Sequence, residues 1–420
     1  MARLPRHAGD VSIDEVTIIT CTGHSQDITP QVLTIDLYED IFAPFITGNV
    51  VVKDAQDLTG LMPLIGEEVI RIIITTPGIE SERYAKEFMI YKMDDQHKLK
   101  DREVIYTLHF ISKEGISDLN MKMVKGYGGG VPISAMVSSI CSEGLNTTKP
   151  VASELTSNST AFTANYWSPT KCINFLAEQA LNAKGSPSYI FFENKHGFHF
   201  KSLETMYTST PIVQRLKWDN YSADIRSTGG GSDKDIEKDF QRILEFVQLP
   251  EYNYMNRIKS GMYGSEVVYM DLMSHVYVQK GFAPSFEGKG HLNNYPLWGG
   301  AAPRLSRAVF LHEHQYYNAF DGYGSVSNTQ MIQARKSLLA QAEGYKMTIN
   351  VLGRTDYQAG QRMYLEIPKF TQIKKDDPEW MDKLKSGCYL ISAICHKVTR
   401  AKHECTLELI KDSFMRDVKK

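Results

Sequence analysis

Between Val16 and Ser112 apolar and polar residues alternate with a period of two, the pattern of strands that bury one side and wet the other. Glu103 to Ser112 shows this most cleanly, with Val104, Tyr106, Leu108 and Phe110 on one side and Glu103, Thr107 and His109 on the other. Val69 to Thr76 (VIRIIITT) is rich in β-branched residues, which suit a pleated surface. Val16 to Thr22, Val32 to Tyr38, Thr47 to Lys53 and Lys86 to Met93 complete the set, separated by Gly, Pro and Asp. The pattern predicts a mostly antiparallel β unit.

The period then changes. Val131 to Glu143 and Ser168 to Ala183 space apolar residues three and four apart, as amphipathic helices do. Ser168-Pro169 marks a helix start: a capping hydroxyl, then proline where no N–H is needed. Tyr189 to Glu193 and Gly197 to Lys201 predict a strand pair across Asn194-Lys195-His196. Pro211 to Trp218 predicts a further strand, and Ser227 to Ser232 (STGGGS) a linker or loop tip. Asp235 to Val247 reads as an amphipathic helix with Ile236, Phe240, Ile243, Leu244 and Val247 along one side. From Pro250 to Gly324 periodicity is poor, and Thr329 to Ala342 is helical. Alternation returns in Lys346 to Leu352, Arg362 to Ile367, Tyr389 to Val398 and His403 to Ile410, the last with Cys405, Leu407 and Leu409 on one side.

Length changes the picture from one unit to several: 420 residues predict two to four packed units of about 100–150 residues. Hydrophobic residues at 42% and charged residues at 23% fit a soluble globular chain, and 22 Tyr with 18 Phe point to β structure or buried interface. With 47 basic and 49 acidic residues no global field favours a nucleic-acid backbone or an anionic membrane, so sequence-specific nucleic-acid binding is not expected. No run of 18 apolar residues predicts a membrane segment, and MARLPRHAGD is not followed by the apolar region of a signal peptide. The six cysteines contain no C-x-x-C pair, which suits neither a disulfide framework nor a thiolate zinc site and predicts a reducing compartment.

The candidate chemistry is sparse. His312-Glu313-His314 would place two imidazoles on one side of a strand, but no third ligand follows at a recognisable spacing. His196 and His199 beside Glu193 could form an acid/base cluster, though turn and strand-end residues explain them as well. Gly128-Gly129-Gly130 and Gly229-Gly230-Gly231 lack the Lys-Ser/Thr ending and strand-to-helix setting of a phosphate loop. Asp94-Asp95 and Asp376-Asp377-Pro378-Glu379 miss the calcium-loop pattern and read as solvated loops. Tyr252-Asn253-Tyr254 and Tyr316-Tyr317 fit either assembly anchors or core. No residue is assigned a catalytic, cofactor-binding or metal role, and the chain is read as a non-enzyme.

Three stretches carry a family resemblance. The C-terminal block has MTINVLG, AGQ before MYLEIP, GCYLISAICHKV and ECTLELIKD; the middle has SPTKCINFLAEQA followed by YIFFENKHGFHFKSLETM; and KSGMYGSEVVYMDLMSHVY follows. In this order they resemble the baseplate central hub proteins of contractile-tail, T-even-like bacteriophages, related to the spike-hub proteins of type VI secretion. In that family Gly360 would lie at the turn into a strand and His396 within one.

The resemblance implies an α+β, β-rich fold with two tube-like antiparallel β-barrel domains and α+β insertions. The first barrel would span residues 11–119, an α+β insertion 120–205, the second barrel 206–227 with 343–415, and a helical or irregular insertion 228–342. It implies a homotrimer whose six barrels ring a channel for tape measure and DNA, adapting a trimeric central spike to a hexameric tail tube. Partners would be the central spike protein, the tail tube or tube-initiator protein, the tape measure protein and baseplate wedge proteins, in a virion assembled in the host cytoplasm. Glu103 to Ser112 and His403 to Ile410 are expected to supply an apolar, aromatic subunit surface. The hub of a phage-derived injection or secretion particle would look nearly the same, and a tail-associated cell-wall hydrolase is the reading from another class.

Overall fold

In the computed structural model, residues 5–56, 58–61, 64–78, 83–100, 103–218, 238–248, 253–271, 276–298, 328–370 and 380–417 are described. The alternating region forms β1 (Ser12–Ile19), β2 (Ser25–Asp27), β3 (Val32–Asp40), β4 (Thr47–Asp54), β5 (Val69–Thr75), β6 (Tyr84–Lys100) and β7 (Glu103–Ser112). They pair antiparallel in the order β3-β4-β7-β6-β5-β1-β2. In β7 the side holding Tyr106, Leu108 and Phe110 is buried, so the period of two read from the sequence is the period of burial. Phe110 packs on Phe88 with ring centroids 4.7 Å apart, inside a core of aliphatic side chains from all these strands except the short β2.

The middle of the chain is a small α+β unit. After the short α1 (Leu58–Leu61) come α2 (Lys113–Asn120), β8 (Gly126–Tyr127), α3 (Ile133–Glu143), β9 (Val151–Ser153), β10 (Phe162–Thr163), α4 (Pro169–Gln179), β11 (Tyr189–Asn194), β12 (Gly197–Ser202) and α5 (Leu203–Ser209). Ser168 caps α4 by accepting from the Lys171 N–H at 3.4 Å. Asp118, near the end of α2, reinforces that start: its carboxylate accepts from the Thr170 N–H at 2.7 Å and from the Thr170 hydroxyl at 2.6 Å. The hairpin β11-β12 turns at Lys195-His196 and, with β9 parallel to β12, packs on α3 and α4.

The rest of the described chain builds a second β half from distant pieces. These are β13 (Ile212–Lys217), β14 (Ile243–Gln248), β15 (Ser265–Asp271), β16 (Val276–Phe282), β17 (Tyr295–Pro296), β18 (Lys346–Leu352), β19 (Arg362–Glu366), β20 (Gly387–Thr399), β21 (His403–Ile410) and β22 (Ser413–Phe414). Pairing runs β14-β18-β21-β20, with β19 on the early part of β20 and β13 parallel to β19. Its core contains a buried lysine: Lys411 Nζ lies over the rings of Tyr345, Tyr389 and Phe414, at 4.3, 4.7 and 5.0 Å from their centroids, and donates to the Leu384 carbonyl, and burial holds its pKa well below the usual lysine range.

Two expectations are corrected here. Ile243–Gln248 is a strand, not the end of a helix over Asp235 to Val247; only residues 238–240 of that stretch are helical, and 235–237 lie outside the described residues. Register shifts at Ile243/Glu245 and Phe246/Gln248 break its period of two and give its apolar residues helix-like spacing. Nor do β7 and β21 offer a subunit surface: each is paired on both sides and turns its apolar positions into a core. Exposed large apolar side chains include Tyr38, Tyr91 and Met93. The hairpin β15-β16 and the helix Tyr254–Lys259 arise where periodicity gave no element. The helix Asn328–Glu343 is where it was expected, and Arg335 on it donates to the carbonyls of Ala177, Pro187 and Tyr189 at 3.0, 3.1 and 2.7 Å, tying it to the α+β unit.

Candidate functional site

The two β halves meet along β20. Its first residues, Gly387 to Leu390, pair with β19, and its last seven, Ala393 to Thr399, pair antiparallel with Asp40 to Thr34 of β3. One long strand therefore serves both halves, and the described pairings form a continuous 13-stranded sheet. The cores interlock at this seam. Val398 of β20 packs into the first core, and Ile41, just after β3, packs into the second while its N–H donates to the Ser392 carbonyl at 2.9 Å.

The loop from β18 to β19 brings all three units together. Glu39 of β3 accepts from the Ala359 N–H at 3.1 Å, and Thr76 Oγ1 from the Thr355 N–H at 3.0 Å. From the hairpin tip of the α+β unit, Asn194 donates to the Ala359 carbonyl at 3.3 Å and Lys195 to the Thr355 carbonyl at 3.1 Å. Gly360 has φ +85° there, and a Cβ would stand 2.9 Å from the Phe192 ring, so glycine is required on both counts. Burial pushes the Glu39 carboxyl up to about 8, against the Ala359 N–H and the charges of Lys86 and Lys195, and its Oε1 is buried without a hydrogen-bond partner.

A second joint is ionic. Glu193 of β11, fully buried, accepts from Lys149 at 2.7 Å and lies 3.7 Å from the Lys86 ammonium of β6. Its other oxygen accepts from the Ile46 N–H at 3.2 Å and the Ser112 hydroxyl at 2.5 Å. Lys149 also donates to Glu114 at 2.6 Å. Burial lowers Lys86. For Lys149 burial acts downward too, but Glu193 and Glu114 outweigh it and hold the ammonium above its usual value. This network fastens the α+β unit to the first β half.

Within the seam a third cluster stands out. His403 and Cys405, two apart on β21, point to one face, and Cys405 is the cross-strand partner of His396 on β20. Their donor atoms form a triangle: His396 Nδ1 to His403 Nε2 3.1 Å, Cys405 Sγ to His396 Nδ1 3.2 Å and to His403 Nε2 3.5 Å. Burial pushes His396 down to about 4, holds His403 well below its usual value and the thiol well above its own. Among the described residues this is the one group of His, Cys, Asp and Glu side chains whose donor atoms could hold a metal ion together.

The residues singled out from the sequence fall elsewhere. His199 pairs across from Phe192 and Glu193 across from Phe198, so His199 and Glu193 face opposite sides of their hairpin. His199 Nε2 lies 2.8 Å from Asn194 Oδ1, and burial pushes its imidazole down to about 3; His196 lies in the turn, its N–H donating to Asn194 Oδ1. Asp94 contacts Lys92 on the surface, Tyr254 packs beside Tyr263 at 5.7 Å, and Gly129-Gly130 form a turn ahead of α3. His312 to His314, Tyr316-Tyr317, Tyr252, Gly229 to Gly231, the linker at Ser227 to Ser232 and Asp376 to Glu379 lie outside the described residues. The sequence reading named Glu193 only beside His196 and His199 and His396 only within a strand; the ionic joint and the triad escaped it, although His403-x-Cys405 shows the same two-residue spacing noted at His312 and His314.

With this geometry in hand, the fold can be placed. A tail protein from Neisseria meningitidis MC58 superposes with a TM-score of 0.56 at 11% identity, covering 96% of this chain and 98% of its own. The 43 kDa tail protein of prophage MuSo2 from Shewanella oneidensis gives 0.58 at 8% identity, covering 95% and 99%. A type VI secretion component of E. coli is a looser match, 0.45 at 10% identity over 96% of this chain and 77% of its own. No protein-family model and no curated protein matches the chain. The chain thus has the β-rich fold of phage tail proteins, in keeping with the resemblance its sequence carries. No helix among the described residues is long and apolar enough to cross a membrane.

Proposed function

We propose that this chain is the central hub of a contractile-tail baseplate, a structural adaptor and not an enzyme. Three copies, each with two tube-like barrel halves, would present six similar rims to a hexameric tube or its initiator, while their threefold axis receives a trimeric central spike. The first barrel would comprise residues 11–119 and the second 206–227 with 343–415, with insertions at 120–205 and 228–342. Tape measure protein and DNA would pass through the shared channel, and the insertions would face baseplate wedge proteins.

The observation that carries this reading is the seam. A symmetry adaptor needs two comparable rims held rigidly in one chain, and the β3-β20 ladder joins two mostly antiparallel β halves edge to edge. The end-to-end likeness to two proteins named as tail proteins, neither named as an enzyme, supports the same reading. Among the described residues the sheet ends at β14 and β2, and such edges are where neighbouring copies would pair or cover one another.

Light scattering on the purified protein tests it. The reading expects the mass of three chains, and a larger complex with the matching tube protein; a monomer at working concentration that stays monomeric with tube and spike proteins overturns it. The hydrolase reading is tested by incubation with peptidoglycan, where cleavage abolished by a single carboxylate substitution would displace the structural role.

A further inference from the structure

We propose that His396, His403 and Cys405 form a structural metal site that takes a zinc ion and clamps the β20-β21 hairpin at the seam. The site is independent of the hub reading.

The distances carry the proposal. An ion bound tetrahedrally, with bonds of about 2.0–2.1 Å to nitrogen and about 2.3 Å to sulfur, holds its ligand atoms roughly 3.3 Å apart for two nitrogens and roughly 3.6 Å for nitrogen and sulfur. The triangle of 3.1, 3.2 and 3.5 Å lies within a few tenths of an ångström of those edges. Three inward atoms at that spacing leave a common point to which all three can bond.

The surroundings fit a built site. All three side chains are at least 98% buried, and no flexible loop is needed to assemble them, because two adjacent strands fix the set. Gly353 approaches so closely that a Cβ would stand 2.3 Å from the His403 ring, and its N–H donates to the His403 carbonyl at 2.8 Å, which holds the Gly353 backbone against the imidazole. Outside the triangle, His403 Nδ1 is buried without a hydrogen-bond partner, and the Tyr357 backbone acts as an acceptor toward the His396 imidazole, so both rings can carry their proton on the outer nitrogen. With the ring protons on those outer nitrogens, the inward set is two lone pairs and one thiol, which can share a single proton among three atoms. Such a set satisfies itself poorly as a hydrogen-bonded core and well as a ligand shell.

Binding balances as follows: the zinc ion keeps one water of its hydration shell in the fourth tetrahedral position, exchanges the others for two neutral imidazole nitrogens and sulfur, and the thiol proton leaves to solvent. One positive charge remains. Glu39 lies on the same sheet face, since it pairs across from Ile394 as Leu37 does from His396; its buried carboxyl otherwise keeps its proton, which a bound cation would draw off to leave the balancing charge. Two nitrogens with one thiolate is a borderline-soft set that suits zinc and its spectroscopic substitute cobalt over magnesium or calcium.

The test uses the untagged full chain, produced in medium supplemented with zinc or, in parallel, with cobalt and no zinc. After dialysis against a chelator, the expected result is about one zinc ion per chain, whose X-ray absorption shows one sulfur and two imidazole nitrogen neighbours with one further light atom from water. The cobalt protein should show a thiolate charge-transfer band and the intense visible bands of a tetrahedral ion. The charge-transfer band should vanish in Cys405→Ser and persist in Cys395→Ser and Cys141→Ser, with circular dichroism checking that each variant is folded. A wild-type chain that emerges metal-free, a metal shell of oxygens alone, binding of Cu(I) but neither zinc nor cobalt, or a charge-transfer band that survives Cys405→Ser overturns the proposal. The wild-type absorption result decides the matter even where a variant fails to fold.

Discussion

The first β half draws its strands from one continuous stretch, Ser12 to Ser112, and beside its apolar core it buries the acidic side chains of Glu39, Asp54 and Glu68 at or next to strand ends. The second draws on segments from Ile212 to Phe414 and buries Lys411 and the His396, His403 and Cys405 triad among its apolar side chains. Both solve the burial problem with antiparallel ladders, so the difference lies in what the core must do besides exclude water. An apolar core specifies only burial, whereas buried polar groups must find particular partners, and those partners sit at the seam and beside the insertions.

The largest effect should come from the ionic joint, which tests whether the first half stands alone. Glu193→Ala leaves Lys149 and Lys86 facing a buried gap and should cost about 3–5 kcal/mol in urea unfolding. Adding Lys149→Met should restore part of it. A loss under about 1 kcal/mol would mean the α+β unit contributes little to holding that half.

Next come matched core truncations, Leu108→Ala in the first half and Leu407→Ala in the second. Each should cost about 3 kcal/mol. Because the β3-β20 ladder and the exchange of Val398 and Ile41 join the cores, both variants should lower one shared calorimetric transition. Two transitions, each moved by one variant only, would show the halves to be independent.

Glu39 sharpens the comparison through pH. Its folded carboxyl is raised to about 8 from an ordinary 4.5, so the folded state holds a proton that the unfolded chain has released between those values. Stability should be highest below the unfolded value, fall steadily as pH rises from 4.5 to about 8, and level off above it. Glu39→Gln, which can still accept from the Ala359 N–H, should flatten that slope; an unchanged slope would mean another group is responsible. Smallest is Gly360→Ala, where the left-handed backbone and the Phe192 ring together should cost about 1–2 kcal/mol.

The contrast between the halves also explains what could be read in advance. Strands such as Glu103–Ser112 were legible because one side is buried along their whole length, so composition and geometry share a period. Ile243–Gln248 misled because two register shifts put Ile243 and Phe246 toward the core three residues apart, which is also helical spacing. The β15-β16 hairpin lay in a stretch without clear alternation. The triad was out of reach for a different reason: His403 and Cys405 announce a shared face, but opposing His396 to Cys405 depends on the hairpin register, which no local spacing encodes. Glu193 shows the same limit, since its partners stand 44 to 147 positions away along the chain.

The seam also decides how the molecule bears load. Seven residue pairs between Thr34 to Asp40 and Ala393 to Thr399 lie side by side, so a pull along these strands strains all their hydrogen bonds at once, while a peel from one end would break them one after another. A chain built this way transmits force along these strands from one half to the other as a riveted lap joint does, with little freedom to bend between them.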